Sequence, residues 1–406
     1  MSTSAYGGGG HVARERVDTV VVGLGGLGAA TIWQLARRGV DVVGLEKFEL
    51  GHLRGASHDT SRILRRSYHT AAYVRLAGEA YHDWAELSRA CGEQLVTTVG
   101  GVDLFPPDAA IPMVDYVESL TAVGVPFELL ESDKASARWP ALRVPEGAVA
   151  LQQADTSIVP AGRATATMTR LASDAGARVH DRSPVTLLSP QDDGTVTVHT
   201  GGPTPRAFRA RRVVLTADAW TNDLLAHLGT ALPLTVTREQ ATYYRPRNPE
   251  AFGPDRLPVW IWMDDPSFYG FPTYAEGGNK ALVKAAQDCG GAVTTGDGRS
   301  FEPDAHALQR LSGFVWNLVP GIGTEHHSIT CLYTLTPDRD FVVGEVPSCP
   351  SVVVGLGAGH AFKFAPTFGR LLADLVIEGG TSSDIAAFAP DRPALVDGDH
   401  PVSWLV

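Results

Sequence analysis

The sequence predicts an α/β (α+β) fold of two units, one discontinuous and built on a parallel sheet, the other built on a large, mainly antiparallel sheet. Three observations carry this. Near the start, an apolar run meets a glycine-rich turn, a segment with helical spacing and a second apolar run, the order strand, helix, strand. The pattern of strand, glycine-rich turn and helix returns at residues 352–377, so the first unit is expected to be completed by the end of the chain. Between them, residues 233–333 turn aromatic and β-prone, the texture of an antiparallel sheet.

Residues 1–16 are rich in Ser, Gly and charge and contain no apolar stretch of the kind a signal peptide needs, which predicts a disordered tail. Residues 17–22 form the first strand, residues 29–38 a helix that Gly39 stops, and residues 40–45 the second strand. Residues 73–89 read as an amphipathic helix with Leu76, Ala80, Trp84 and Leu87 on one face. A further helix is expected at residues 164–175. After it Val179, Val185 and Leu187 suggest a small ribbon across residues 178–188, and residues 212–216 another strand. In the aromatic region, residues 242–244, 259–263 and 268–272 are expected to be strands.

The 406 residues are enough for two or three compact units. With 34 Lys and Arg against 45 Asp and Glu, the formal charge is −11, which argues against a surface built for nucleic-acid phosphates or anionic lipid. Hydrophobic residues at 44% and charged residues at 19% exclude wholesale disorder. Every hydrophobic run is broken before the roughly 18 residues that a membrane span requires. Cys91, Cys289, Cys331 and Cys349 are widely spaced, so no zinc site or disulfide framework can be read from them. The expectation is a cytoplasmic protein with a small-molecule partner, no metal, no nucleic acid and no membrane.

Gly23-Leu24-Gly25-Gly26-Leu27-Gly28 sits between the first strand and helix, and Glu46 follows Gly28 by 18 residues at the end of the second strand. Glycines there permit a tight turn and close approach to a pyrophosphate, the helix N-terminus favours its charge, and a carboxylate so placed accepts from ribose hydroxyls. Together they predict a Rossmann-like dinucleotide site, without distinguishing NAD from FAD.

Four more segments narrow the choice: residues 55–68 (GASHDTSRILRRSY), 269–272 (YGFP), 331–338 (CLYTLTPD) and 355–364 (GLGAGHAFKF). With them the sequence resembles the monomeric sarcosine oxidase and N-methyl amino acid oxidase family, FAD-dependent enzymes of the D-amino-acid-oxidase-like superfamily, over residues 17–393. The resemblance implies a discontinuous Rossmann-like FAD-binding domain (17–97, 150–235 and 334–393), a substrate domain (98–149 and 236–333) and a C-terminal tail (394–406). It implies oxidation of an amino or imino acid, hydride transfer to the flavin and reoxidation by O2 to H2O2, in a monomer. A flavin dehydrogenase using another electron acceptor is the alternative.

Residue roles follow from the same resemblance. Cys331, by itself an inert buried cysteine, matches the family cysteine bound covalently to FAD. Arg62 is expected over the flavin ring, Arg65 and Lys363 on the substrate carboxylate, and Lys284 beside the flavin to promote O2 reduction. A planar guanidinium offers a carboxylate two donors and Lys adds a point charge. His360 matches a catalytic and cofactor-binding position, Tyr269 and Tyr333 match pocket walls, and Lys47, Ser61, Val185, Gly357 and Gly359 join Gly23, Gly25, Gly28 and Glu46 around FAD. Three departures bear on the substrate. Asp288 stands where sarcosine oxidases have histidine, and Asp103 where they are apolar, an acidic pair similar to that of the cyclic imino acid oxidases of nikkomycin-type pathways, whose acids face the substrate nitrogen or ring, so both are expected to bind substrate. Asp218 replaces a usual glycine near the flavin. Trp260 and Trp262 are either sheet core or residues that reshape the pocket.

Overall fold

The computed structural model describes residues 14–278 and 280–405. The expected tail at 1–16 therefore lies outside the described residues up to residue 13. Its last three residues open a strand instead: β1 (Arg14–Val22) pairs in parallel with Ala207–Leu215, Arg14 facing Ala207. From β1 the chain passes through α1 (Gly26–Arg37) to β2 (Val42–Leu45), which pairs in parallel with β1. The helix starts three residues before the expected position, because its first turn is the glycine motif itself. Arg178–His180 extends this sheet beyond β2, and Cys349–Leu356 extends it beyond Ala207–Leu215, all in parallel. The expected ribbon at 178–188 is thus two separate strands; its second part, Val185–Pro190, pairs with Val196–Thr200 at the other end of the sheet.

Alternation along these strands explains why the sheet is buried on both faces. Val20 and Val22 pack on one side with Val43, Leu45, Val213, Leu215, Val352 and Val354, while Val21 points the other way with Val42, Val214 and Val353. The second group meets the helices, including Ala365–Glu378, where Gly369 lies so close to α1 that a Cβ would sit 2.6 Å from the Ala30 carbonyl. Arg62–Leu64 (β3) then leads to α2 (Ala71–Cys91), with Thr70 as N-cap and Gly92 as left-handed C-cap; Leu76, Ala80, Trp84 and Leu87 are buried as their spacing predicts.

The second sheet has nine strands, every pairing antiparallel except that of Val259–Trp262 with Gly101–Phe105. The boundaries expected at 149/150, 235/236 and 333/334 each cut or abut a strand of this sheet: Val149–Gln153, Thr235–Arg245 and Thr324–Leu335 belong to it. The aromatic region also holds an α-helix. Ala305–Leu318 is capped by Asp304 and buries Leu311, Val315 and Leu318. The C-terminal segment is docked: the Ser403 amide donates to Pro337 and the Trp404 indole to Thr336. No helix among the described residues is long and apolar enough to cross a membrane.

Candidate active site

A cavity of about 880 Å³ runs from the glycine turn, along the C-terminal ends of the parallel strands, to the face of the second sheet. That is where open α/β sheets bind ligands, and the volume suits a cofactor with a small substrate. At its first end Gly23 has φ +90°, and a Cβ there would lie 2.6 Å from the Thr216 carbonyl. Gly25 precedes the helix as its N-cap, and the first helical turn carries no acidic residue, which leaves its positive end to an anion. Gly28 does not line the cavity. It lets the helix pack on the turn behind, where a Cβ would overlap the Gly23 carbonyl.

Glu46 is buried at the end of β2 and accepts from the amides of Leu24 (2.8 Å) and Phe48 (3.0 Å), with His52 at 3.3 Å. Burial pushes its carboxyl up, but the His52 contact and the two amides outweigh it and hold the group below the ordinary glutamate value. Ser57 accepts from the Gly26 amide at 2.8 Å. These features form a narrow cradle of close backbone, amide donors and one carboxylate, which fits the adenosine and pyrophosphate part of a dinucleotide. Val185 and Ser61 also line the cavity, as does Lys47, whose ammonium is held by Asp297 at 2.7 Å beside Trp220.

At the opposite end the cations are buried. Arg65 stands between the main cavity and a smaller one lined by Asp103, and its Nη1 donates to Asp103 at 3.1 Å and to Ser67 at 3.4 Å. Asp103 therefore lies behind Arg65 instead of on the main cavity wall. Asp288 does line that wall, yet Arg339 holds it in a two-pronged contact at 2.6 and 2.9 Å. The acidic pair expected to face substrate is thus two ion pairs. Lys363 donates to the Tyr68 hydroxyl (2.8 Å) and the His360 carbonyl (3.3 Å); burial, then Arg65 and Arg339, push its pKa well below the usual lysine value.

His360 donates from Nε2 to the Arg339 carbonyl at 3.0 Å, while its buried Nδ1 has no partner among the described residues. Burial and the cations Arg339 and Lys363 push its pKa well down, which favours the neutral ring. It fixes the turn 357–360, in which Gly359 (φ +80°) approaches Tyr333 so closely that a Cβ would lie 2.8 Å from the ring. Gly357 and Gly359 both line the cavity.

Tyr269 and Tyr333 form its walls, and burial raises both hydroxyls above their ordinary pKa. Arg62 lines the cavity too, with its guanidinium donating to the carbonyls of Ala56, His58 and Ser61 at 2.8 to 2.9 Å. Lys284 is buried on the same wall, with Nζ 2.5 Å from Asp59 and 3.1 Å from the Ser61 carbonyl. Cys331 is not part of the cavity lining. It lies two residues before Tyr333 on one face of the strand, partly exposed, and burial raises its thiol to about 11 against the opposing charges of Arg62, Lys284 and Arg299.

Trp260 and Trp262 point away from the cavity into the core around Phe314, while Ile261 between them lines it, the alternation a strand imposes. Residues that sequence reasoning passed over are Ser57, Asp59, Tyr68 and Arg339. The first three sit inside the 55–68 segment and the last follows the 331–338 segment directly.

Asp218 lines the cavity at φ +49° with its Oδ2 unpartnered among the described residues, and burial raises its carboxyl to about 6. A raised acid favours the native state only while protonated. Its cost is absent below the ordinary aspartate range, grows as pH rises to about 6 and stays constant above. Asp218→Gly removes both this cost and the left-handed strain. The expected result is a gain of about 1–2 kcal/mol at pH 8 and less at pH 4, read from denaturant unfolding at the two pH values.

Comparison with known proteins gives one family. The model described as FAD dependent oxidoreductase matches residues 18–375. The monomeric sarcosine oxidase of Streptomyces avermitilis is 35% identical over 384 residues, covering 93% of this chain and 98% of that protein. The peroxisomal sarcosine oxidase of Homo sapiens is 32% identical over 382 residues, covering 92% and 96%. Among solved structures, the open form of NikD, described as an unusual amino acid oxidase essential for nikkomycin biosynthesis, is similar with a TM-score of 0.82 and 29% identity, covering 93% of this chain and 98% of that one.

Proposed function

Because this chain belongs to the FAD dependent oxidoreductase family, we propose that it oxidises a secondary amino acid or cyclic imino acid at the carbon–nitrogen bond and passes the electrons to O2. The observation that carries the substrate class is the charge at the far end of the cavity. Arg65 pairs with Asp103 and Arg339 with Asp288, which buried Glu239 also faces, while Lys363 has no carboxylate within ion-pair distance among the described residues. Burial, Arg65 and Arg339 outweigh the more distant Asp288 and Asp103 and favour the neutral Lys363 amine, and a substrate carboxylate would oppose them.

FAD, when bound, supplies the two-electron acceptor. The glycine cradle, Glu46 and Ser57 would hold its nucleotide part, and Arg62, Lys284 and the turn 357–360 would surround its reactive part. In this reading Arg65 and Lys363 orient the carboxylate, and Tyr269 and Tyr333 close the walls and exclude water. Neutral His360 acts through the turn it fixes. The amine gives up a C–H bond with both electrons while its nitrogen forms C=N, and water hydrolyses the released imine unless the product is a stable ring. A neutral amine needs no protein base for this. Lys284 places a positive charge where O2 is reduced, a preorganised electrostatic contribution. O2 uptake with H2O2 release, screened over N-methyl amino acids, proline analogues and cyclic imino acids, tests the reaction; uptake with none of them would oppose it. The same reading takes the chain as a monomer, in line with the name of the Streptomyces avermitilis relative, and as cytoplasmic, supported by the four free cysteines.

The covalent link at Cys331 belongs to this reading, supported by its place beside Arg62 and Lys284, whose charges favour a thiolate. In acid-precipitated protein, yellow colour is expected in the pellet, and in Cys331→Ala in the supernatant. Colour released from the unaltered protein would remove the link and leave the flavoenzyme.

A further inference from the structure

Asp59 is a non-glycine residue at φ +82°, a backbone conformation that costs energy and is kept where the surroundings require it. Its carboxylate is buried and fully engaged. Oδ2 meets Lys284 Nζ at 2.5 Å and Arg62 at 3.7 Å, and Oδ1 accepts from the Tyr243 hydroxyl at 2.5 Å, which also contacts Thr60 at 2.7 Å. Phe271 and the Tyr243 ring cover the ammonium at 5.0 and 5.9 Å. The other charged or titratable groups facing Lys284 are His58 from the same loop, Arg62 from the start of β3 and Cys331 from the strand Thr324–Leu335. Asp59 is the one carboxylate in this set, and without it two cations would share a buried site with no counter-ion.

We propose that Asp59 is the positioning residue that keeps Lys284 protonated and fixed on the cavity wall. The proposal rests on the reading of Lys284 as the charge that promotes O2 reduction. Burial and Arg62 favour the neutral amine, and Asp59 opposes both. Its left-handed backbone has a geometric reason, since the turn must aim a short carboxylate inward between Lys284 and Tyr243. Across neutral pH the lysine then carries its charge constantly, so reoxidation is insensitive to pH there.

The test uses Asp59→Asn, which keeps shape and tolerates the backbone, and Asp59→Gly, which relieves the strain and removes the group. The chain has five lysines, Lys47, Lys134, Lys280, Lys284 and Lys363, so the purified holoprotein labelled at lysine Cε with carbon-13 gives a resolvable spectrum. The resonance lost in Lys284→Met is that of Lys284. Its titration is expected to move down by about 1–3 pH units in both Asp59 variants, and in the unaltered protein the ammonium is expected to persist through neutral pH. An unmoved titration in both variants, or a Lys284 already neutral at pH 7 in the unaltered protein, overturns the proposal. Stopped-flow mixing of dithionite-reduced protein with O2 needs no substrate and supplies the second readout. In the variants the rate should fall with rising pH along the Lys284 titration. If the titration moves and the rate stays flat, Asp59 does hold the proton, and the oxygen role of Lys284 is what fails.

Discussion

Replacing Lys284 by Met is expected to slow the reaction of the reduced protein with O2 about 10²- to 10³-fold, the usual consequence of deleting a preorganised charge from a dry site. Reduction by the amine should change only a few-fold, because Arg65 and Lys363, the proposed anchors of the substrate carboxylate, lie elsewhere on the wall. Lys284 Nζ touches Asp59 and Ser61, with no bond to either of those cations. The substitution also strands the buried Asp59 with Arg62 at 3.7 Å as its remaining cation, so some loss of stability accompanies it. Lys284→Met combined with Asp59→Asn should regain stability without regaining the rate. Rapid mixing of reduced protein with O2, beside anaerobic mixing of oxidised protein with amine, separates the two half-reactions. Equal slowing of both would point to general damage at the site.

Arg65→Met is expected to lower kcat/KM about 10²- to 10³-fold and to destabilise the fold as well. The first effect is the loss of a charged, hydrogen-bonded anchor for the substrate. The second arises because Asp103, buried at 4% exposure behind Arg65, is left without its cation, a defect of about 3–5 kcal/mol. Adding Asp103→Leu removes the stranded charge. The double variant should unfold near the unaltered protein and remain as poor a catalyst as the single one. Recovery of both properties together would mean that Arg65 acts on the fold alone.

What the sequence revealed and what it hid divide by range. The turn from Gly23 to Gly28 and the acid at Glu46 were legible because strand, turn and helix succeed one another locally, and the structure brings the Glu46 carboxylate to the Leu24 amide. The helix Ala71–Cys91 was legible from the spacing of Leu76, Ala80, Trp84 and Leu87. Ala305–Leu318 was not, since Phe314 and Trp316 gave the segment an aromatic texture; the spacing of Leu311, Val315 and Leu318 and the cap Asp304 carried the helical signal. The partners of the acids were hidden for a physical reason. Asp103 meets Arg65 38 residues away, Asp288 meets Arg339 51 away, and Asp59 meets Lys284 225 away. Sequence position shows that an acid is near a motif, and only the packed sheets show which cation it faces.

Lys363, buried beside the paired Arg65 and Arg339 and without a carboxylate in contact among the described residues, is expected to select a carboxylate-bearing secondary amine. Anaerobic mixing of the oxidised protein with matched pairs tests this most directly: sarcosine against dimethylamine, proline against pyrrolidine, pipecolate against piperidine. Bleaching of the flavin is expected with at least one carboxylate-bearing member and about 10²-fold or more slower with its partner, the difference shrinking in Arg65→Met. Equal bleaching by both members of every reactive pair would contradict the account.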